Sequence, residues 1–175
     1  MREKGAGEAM GRRGAWTAAL LAGALFCGFS GWTYAHTRAD DDLAYARDRD
    51  SALDAARKHI TVLNTMDGKD VRASLRAWTQ AADGPLADEL RRTGDDSAKA
   101  LEQEGTTTRG TVTDAAVIAL DSRAGTAKVI ATVRVEVTAR SGKSTTDRKR
   151  FEAGLDDSGA AWKLSSLSAV PVAEK

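Results

Sequence analysis

The chain has little of what small exported domains and small enzymes are usually built on. Cysteine occurs once, as Cys27, so no disulfide can close within one chain and no zinc site can be assembled from thiolates. Histidine also is scarce, with only His36 and His59, which leaves few groups suited to acid–base work near neutral pH. An excess of one charge sign is missing too. The 26 Lys and Arg against 25 Asp and Glu leave a net charge of +1, which gives no electrostatic footprint for nucleic acid. No repeat at solenoid periods and no low-complexity linker interrupts the 175 residues.

One stretch lacks charge altogether. Residues 15–34, AWTAALLAGALFCGFSGWTY, hold no Asp, Glu, Lys or Arg, and as a helix they would reach roughly 30 Å, the thickness of a bilayer's hydrocarbon core. Trp16 stands near one end and Trp32 and Tyr34 near the other, where amphipathic aromatics settle at membrane interfaces. Arg2, Lys4, Arg12 and Arg13 precede the run and Asp40, Asp41 and Asp42 follow it. The positive flank belongs in the cytoplasm. The expected organisation is therefore a cytoplasmic tail (1–14), a transmembrane signal-anchor (15–35) in the cell membrane, and one extracytoplasmic domain (36–175). Cleavage after Ala35 is the competing reading, but a cleaved signal has a shorter apolar core, of about 7–15 residues. Lipidation at Cys27 is disfavoured by the bulky Phe26 before it.

Beyond the run, the first signal is helical. No Gly or Pro occurs from Thr33 to Met66, and Leu53, Ala56, Ile60 and Leu63 recur at spacings of three and four, one face of a helix. The heptad positions of a coiled coil would include Asp50, Arg57 and Asn64, too polar for a seam. Gly68 is expected as a left-handed stop. Asp70 can cap a second helix with Val71, Leu75 and Trp78 inward. Pro85 suits the first turn of a third, with Leu86 and Leu90 as its apolar face. Thr93-Gly94-Asp95-Asp96 is expected to break or kink that helix before it resumes with Ala98 and Leu101 inward, and Gly105 to close it.

The period then changes to two. Thr106–Leu120 is rich in Thr and Val, and its alternation slips at Asp114-Ala115-Ala116, which predicts a bulge or two short strands. Lys128–Thr138 alternates cleanly, with Val129, Ala131, Val133, Val135 and Val137 on one face. Further strands are expected at about 144–155 and 161–170, joined by Gly-containing turns. Helices over about 40–104 followed by strands over about 106–170 predict an α+β domain, its helices covering the valine face of an antiparallel sheet.

The stretches LDAARKHITVLNTMD, AGTAKVIATVRVEVTARSG and TTDRKRFEAGLDDSGAAWKLSSLSAV, in this order after a basic tail and one span, resemble the Mce-associated membrane proteins of actinobacteria. The resemblance runs from about residue 12 to 172 and rests on spacing and residue class, without a catalytic signature. It implies a cystatin-like, nuclear-transport-factor-like fold, a curved antiparallel sheet wrapped around helices. It also implies an accessory role beside an Mce-type lipid or sterol importer of the cell envelope, with Mce or permease-type subunits and the lipid bilayer as partners.

No residue is expected to be catalytic, to bind a cofactor or to ligate a metal. His36 falls at the membrane boundary and His59 beside Ile60 on the first helix. Asp48, Asp50 and Asp54 alternate with Arg47, Arg49 and Arg57 and lack the Gly turn of a calcium loop. The basic stretch Arg140–Arg150 puts Arg148 and Arg150 on one strand face. It reads either as an edge strand blunted by charge or as a docking patch for a partner subunit or anionic headgroups. Trp78, Trp162, Val133 and Val135 are the expected core. Two alternatives stand beside the accessory reading: a lipid- or sterol-binding module using a valine-lined cavity, and an exported isomerase- or cyclase-like enzyme with an acid or histidine inside it.

Overall fold

The computed structural model describes residues 27, 32 and 42–171. Cys27 and Trp32 are helical and exposed; the rest of the expected anchor, Trp16 and Tyr34 included, lies outside the described residues, as does His36. Among the described residues no helix is long and apolar enough to cross a membrane.

The first helix, α1, covers residues 42–63. Its buried stripe is Ala52, Ala56 and Ile60, flanked by half-buried Leu53 and Leu63. Small residues at two of the three inward positions let the helix lie close to what it packs on. Asn64 ends the ladder with a side chain that donates back to the Ile60 carbonyl at 2.8 Å. The expected left-handed stop at Gly68 is not found, because Gly68 is absent from the positive-φ glycines. Gly is needed there for room. A Cβ at Gly68 would stand 2.8 Å from the Gly105 carbonyl and the Thr106 oxygen.

Helix α2, Val71–Ala81, starts where Asp70 accepts a hydrogen bond from the Ala73 amide, satisfying one of the unpaired N–H groups of a helix start. Helix α3, Gly84–Glu104, has Asp83 as its cap and Pro85 in its first turn, and ends at Gly105 in the left-handed conformation. It runs unbroken through Thr93-Gly94-Asp95-Asp96, where a break or a kink is expected from the sequence, so the break is not found. A helical Gly costs only about 1 kcal/mol against Ala. Local contacts compensate: the pairs Asp88–Arg91 and Glu89–Arg92 precede it, and the Thr93 hydroxyl donates to the Glu89 carbonyl. The second half is held by packing, with Ala98 buried and Glu102 reaching Arg72 of α2 at 3.2 Å.

Four strands follow, β1 (Thr107–Asp121), β2 (Thr126–Thr138), β3 (Ser144–Asp157) and β4 (Trp162–Ala169). They form one antiparallel sheet in the order β1-β2-β3-β4. The slip in β1 appears as register shifts at Val112/Asp114 and Val117/Ala119 within a single long strand. Val129, Ala131, Val133 and Val135 of β2 are buried in one cluster with Ala52, Ala56 and Ile60 of α1, Ala153 and Leu155 of β3, and Trp162 and Leu164 of β4. The result is an α+β fold in which α1 covers the valine face of a four-stranded antiparallel sheet. Gly110 of β1 permits the close approach of α1, since a Cβ there would meet the Asn64 Cβ at 2.6 Å. The hairpin of α2 and α3 joins the sheet through β4, where the Asp83 amide donates to the Leu164 carbonyl at 2.7 Å.

Candidate functional site

The valine face offers no site. Val129 and Val133 are wholly buried and Val135 nearly so, and α1 fills the space a ligand would need. That packing argues against a lipid cavity at this face. Trp162, 6% exposed, belongs to the same core. Trp78 is half-buried and outside it. Its indole N–H donates to the Thr65 carbonyl at 2.9 Å, tying α2 to the chain just after α1. His59 is half-buried against β4, and its Nε2–H donates to the Trp162 carbonyl at 3.0 Å. Desolvation by burial holds its pKa below 6.5, Lys58 and Lys163 push it the same way, and the carbonyl bond partly opposes them. A histidine so placed is a structural tie between helix and sheet. Among the described residues no cluster of His, Cys, Asp or Glu could hold a metal ion.

Among the described residues nothing covers the opposite face of the sheet, and chemistry collects there. Antiparallel register sets Arg134 of β2 directly across from Arg148 of β3, and Thr132 across from Arg150. Side chains two residues apart share a face, so Arg134, Arg148 and Arg150 lie together. All three are exposed, and none forms an ion pair with a described residue. At the other end of this face charge is balanced, because Lys128 lies 3.9 Å from Glu152. Like charges directly opposite across a ladder are destabilising. Arg134 could not be added to the site from the sequence, since the signal is the pairing of two strands whose register is set by the fold. Arg140, part of the same basic stretch, is committed elsewhere: its guanidinium donates to the Glu102 carbonyl at the end of α3.

The hairpin that carries these arginines projects beyond β4. The ladder between β3 and β4 begins at Phe151 opposite Ala169, with one further bond from the Val170 amide to the Arg150 carbonyl at 2.8 Å. From Ser144 to Arg150 every residue is exposed. A second opening, an open groove of about 840 Å³, runs between α2 and α3 over Leu75, Leu90 and Ala98. Of its cations, Arg72 and Arg91 are paired to Glu102 and Asp88.

The family model described as "Uncharacterized protein Rv1363c/MT1408-like" matches residues 14–171. The chain belongs to that family. No curated protein matches the chain. Among solved structures it is similar to an IcmL-like type IV secretion system protein of Legionella pneumophila subsp. pneumophila str. Philadelphia 1, with a TM-score of 0.58, 12% identity, and coverage of 73% of this chain and 95% of that one. The periplasmic domain of DotI is similar at a TM-score of 0.56 and 12% identity, over 69% of this chain and 93% of that one. CagV, a VirB8 homologue of the type IV secretion system of Helicobacter pylori strain 26695, is similar at 0.53 and 9% identity, over 68% and 95%. At such identities the likeness is one of fold.

Proposed function

We propose that this protein is a single-pass, membrane-anchored accessory subunit of an envelope transport assembly, working by protein–protein contact rather than by catalysis. The charge-free run 15–34 anchors it with the N-terminus in the cytoplasm, and the α+β domain stands outside. The observation that carries the reading is the sheet face with Arg134, Arg148 and Arg150, exposed, with Arg134 directly across from Arg148 and none of the three in an ion pair with a described residue. A cluster of this kind costs stability in the isolated domain, so its use lies in a partner. The fold supports the reading, because periplasmic domains and proteins of type IV secretion systems share it. The assembly we favour is an Mce-type lipid or sterol importer, on the resemblance of the strand and turn pattern described above.

The test is affinity recovery of the tagged full-length chain from native membranes in mild detergent, followed by mass spectrometry of its companions. Mce or permease-type subunits should come with the wild type and be depleted with the Arg148→Glu/Arg150→Glu variant. A chain recovered without companions would sink the proposal.

A further inference from the structure

The edge of the β3 arm that no described strand pairs with has backbone geometry that narrows the class of partner. In an antiparallel ladder the N–H and C=O of one residue point to the same side and alternate along the strand. The Val170 amide donates to the Arg150 carbonyl, whereas the Ala139 amide donates to the Lys143 carbonyl. Even-numbered residues of the arm therefore turn their backbone groups away from β2. Ser144, Thr146 and Arg148 present them along an edge that β4 does not reach. One of these donors is already occupied, and by a carboxylate: the Arg148 amide donates to Oδ1 of Asp147 at 2.7 Å.

We infer that this edge receives an extended, acidic segment of a partner protein as a fifth strand, with Asp or Glu at alternate positions beside Arg148 and toward Arg150 of β3. The inference rests on the contact-surface reading above and adds the partner's chemistry to it. Six residues from Ser144 to Lys149 give an edge of about 20 Å at the usual rise per residue, long enough for the main-chain pairing by which exposed sheet edges capture peptides. Side chains of period two on the incoming strand would lie beside the arginines on the same face. Charge decides between occupants. A second copy of this chain would bring Arg148-Lys149-Arg150 against its own like, which opposes pairing. An anionic headgroup would satisfy the guanidinium groups and leave the outward carbonyls unused. Asp147 acts as an internal stand-in, blunting the edge until a strand with better reach displaces it.

The experiment uses the full-length chain in detergent micelles and a fluorescent peptide of alternating Glu and Thr at physiological salt. Binding should slow hydrogen exchange at the Thr146 amide, and Thr146→Pro should weaken binding at least tenfold while leaving the unfolding midpoint in place, because proline at an edge removes only an outward N–H. Asp147→Ala should tighten binding. The same peptide N-methylated on alternate residues keeps its charge and should not bind. Equal binding of the methylated peptide, equal binding to Thr146→Pro, or no binding to the wild type overturns the inference. Tighter association with phosphatidylglycerol vesicles than with the peptide, unaffected by Thr146→Pro, would mark a headgroup site instead. Faster Thr146 exchange in the free chain after deletion of residues 172–175 would make the chain's own tail the occupant. If membrane companions are recovered equally by wild type and Thr146→Pro, this inference falls and the accessory role stands. If no companions are recovered, the accessory role falls while the peptide result still decides the edge.

Discussion

From Phe151 to Asp157, β3 runs between β2 and β4, and Ala153 and Leu155 on that stretch are buried. From Ser144 to Lys149 the same strand pairs, among the described residues, with β2 alone and every residue is exposed. The partner strand hardly changes: β2 keeps its inward valines past both halves, and Val133 and Val135 stay buried opposite Lys149 and Asp147. Coverage makes the difference. Over the arm the core is completed on the β1 side, where α1 comes down on Gly110, and the arm overhangs it. One half of the strand is fixed by packing, and the other is free to carry charge and unpaired backbone groups.

The largest separation between the halves should come from truncation. Trp162→Ala, opposite Asp157 at the covered end, should cost about 3–5 kcal/mol, the usual loss for a buried aromatic. Thr146→Ala in the arm should stay within about 0.5 kcal/mol, as exposed sites do. Denaturant unfolding of both variants tests the contrast; comparable losses would mean that the arm is packed in solution. Next comes Gly110→Ala. Its new Cβ would meet the Asn64 Cβ at 2.6 Å, and displacing α1 from the sheet should cost about 1–3 kcal/mol, in the range of overpacked cores. A midpoint unchanged by this variant would show that α1 can lift off β1 without loss.

How much of this could be read in advance depended on the range of the physics involved. Asp70 capping α2, Pro85 opening α3, Gly105 closing it and the valine alternation of β2 are local effects, and they stood in the sequence. So did the slip at Asp114-Ala115-Ala116, because a bulge breaks the period where it sits. Gly94 misled because a glycine inside a helix and a glycine after one look alike until Arg72 of α2 is seen paired with Glu102 in the second half of α3. Gly68 misled for a related reason. Its neighbours are Gly105 and Thr106, far along the chain, and the demand was for space rather than for a left-handed turn. In the candidate site, Arg148 and Arg150 were visible as a pair of period two. Arg134 was not, since only the register of β2 against β3 brings it across from Arg148.

The covered half should also feel pH. His59 ties α1 to β4, and its folded pKa lies below 6.5, chiefly through desolvation. The unfolded chain therefore takes up the proton first as pH falls, so stability is full above about pH 6.5 and declines from there down through the folded value. Unfolding midpoints across this window should show the decline. His59→Gln, which can still donate to the Trp162 carbonyl but does not titrate, should flatten it. A wild-type profile level down to acid pH would show that His59 sits in water.

The smallest effect is the most telling, because its sign opposes ordinary expectation. Arg148 stands directly across from Arg134 with Arg150 beside it, and like charges in cross-strand register destabilise a ladder. Arg148→Glu replaces that repulsion by an opposite-charge pair, so the isolated chain should gain about 0.2–1 kcal/mol. The gain should shrink as salt screens the exposed pair. The same substitution should cost recovery of envelope companions. Stability and contact would then move in opposite directions at one residue, which is the mark of a surface held for a partner rather than for the fold. A loss of stability on reversal would instead mean that Arg148 already has an acidic neighbour in solution, and the cluster would return to being a charged, aggregation-resistant edge.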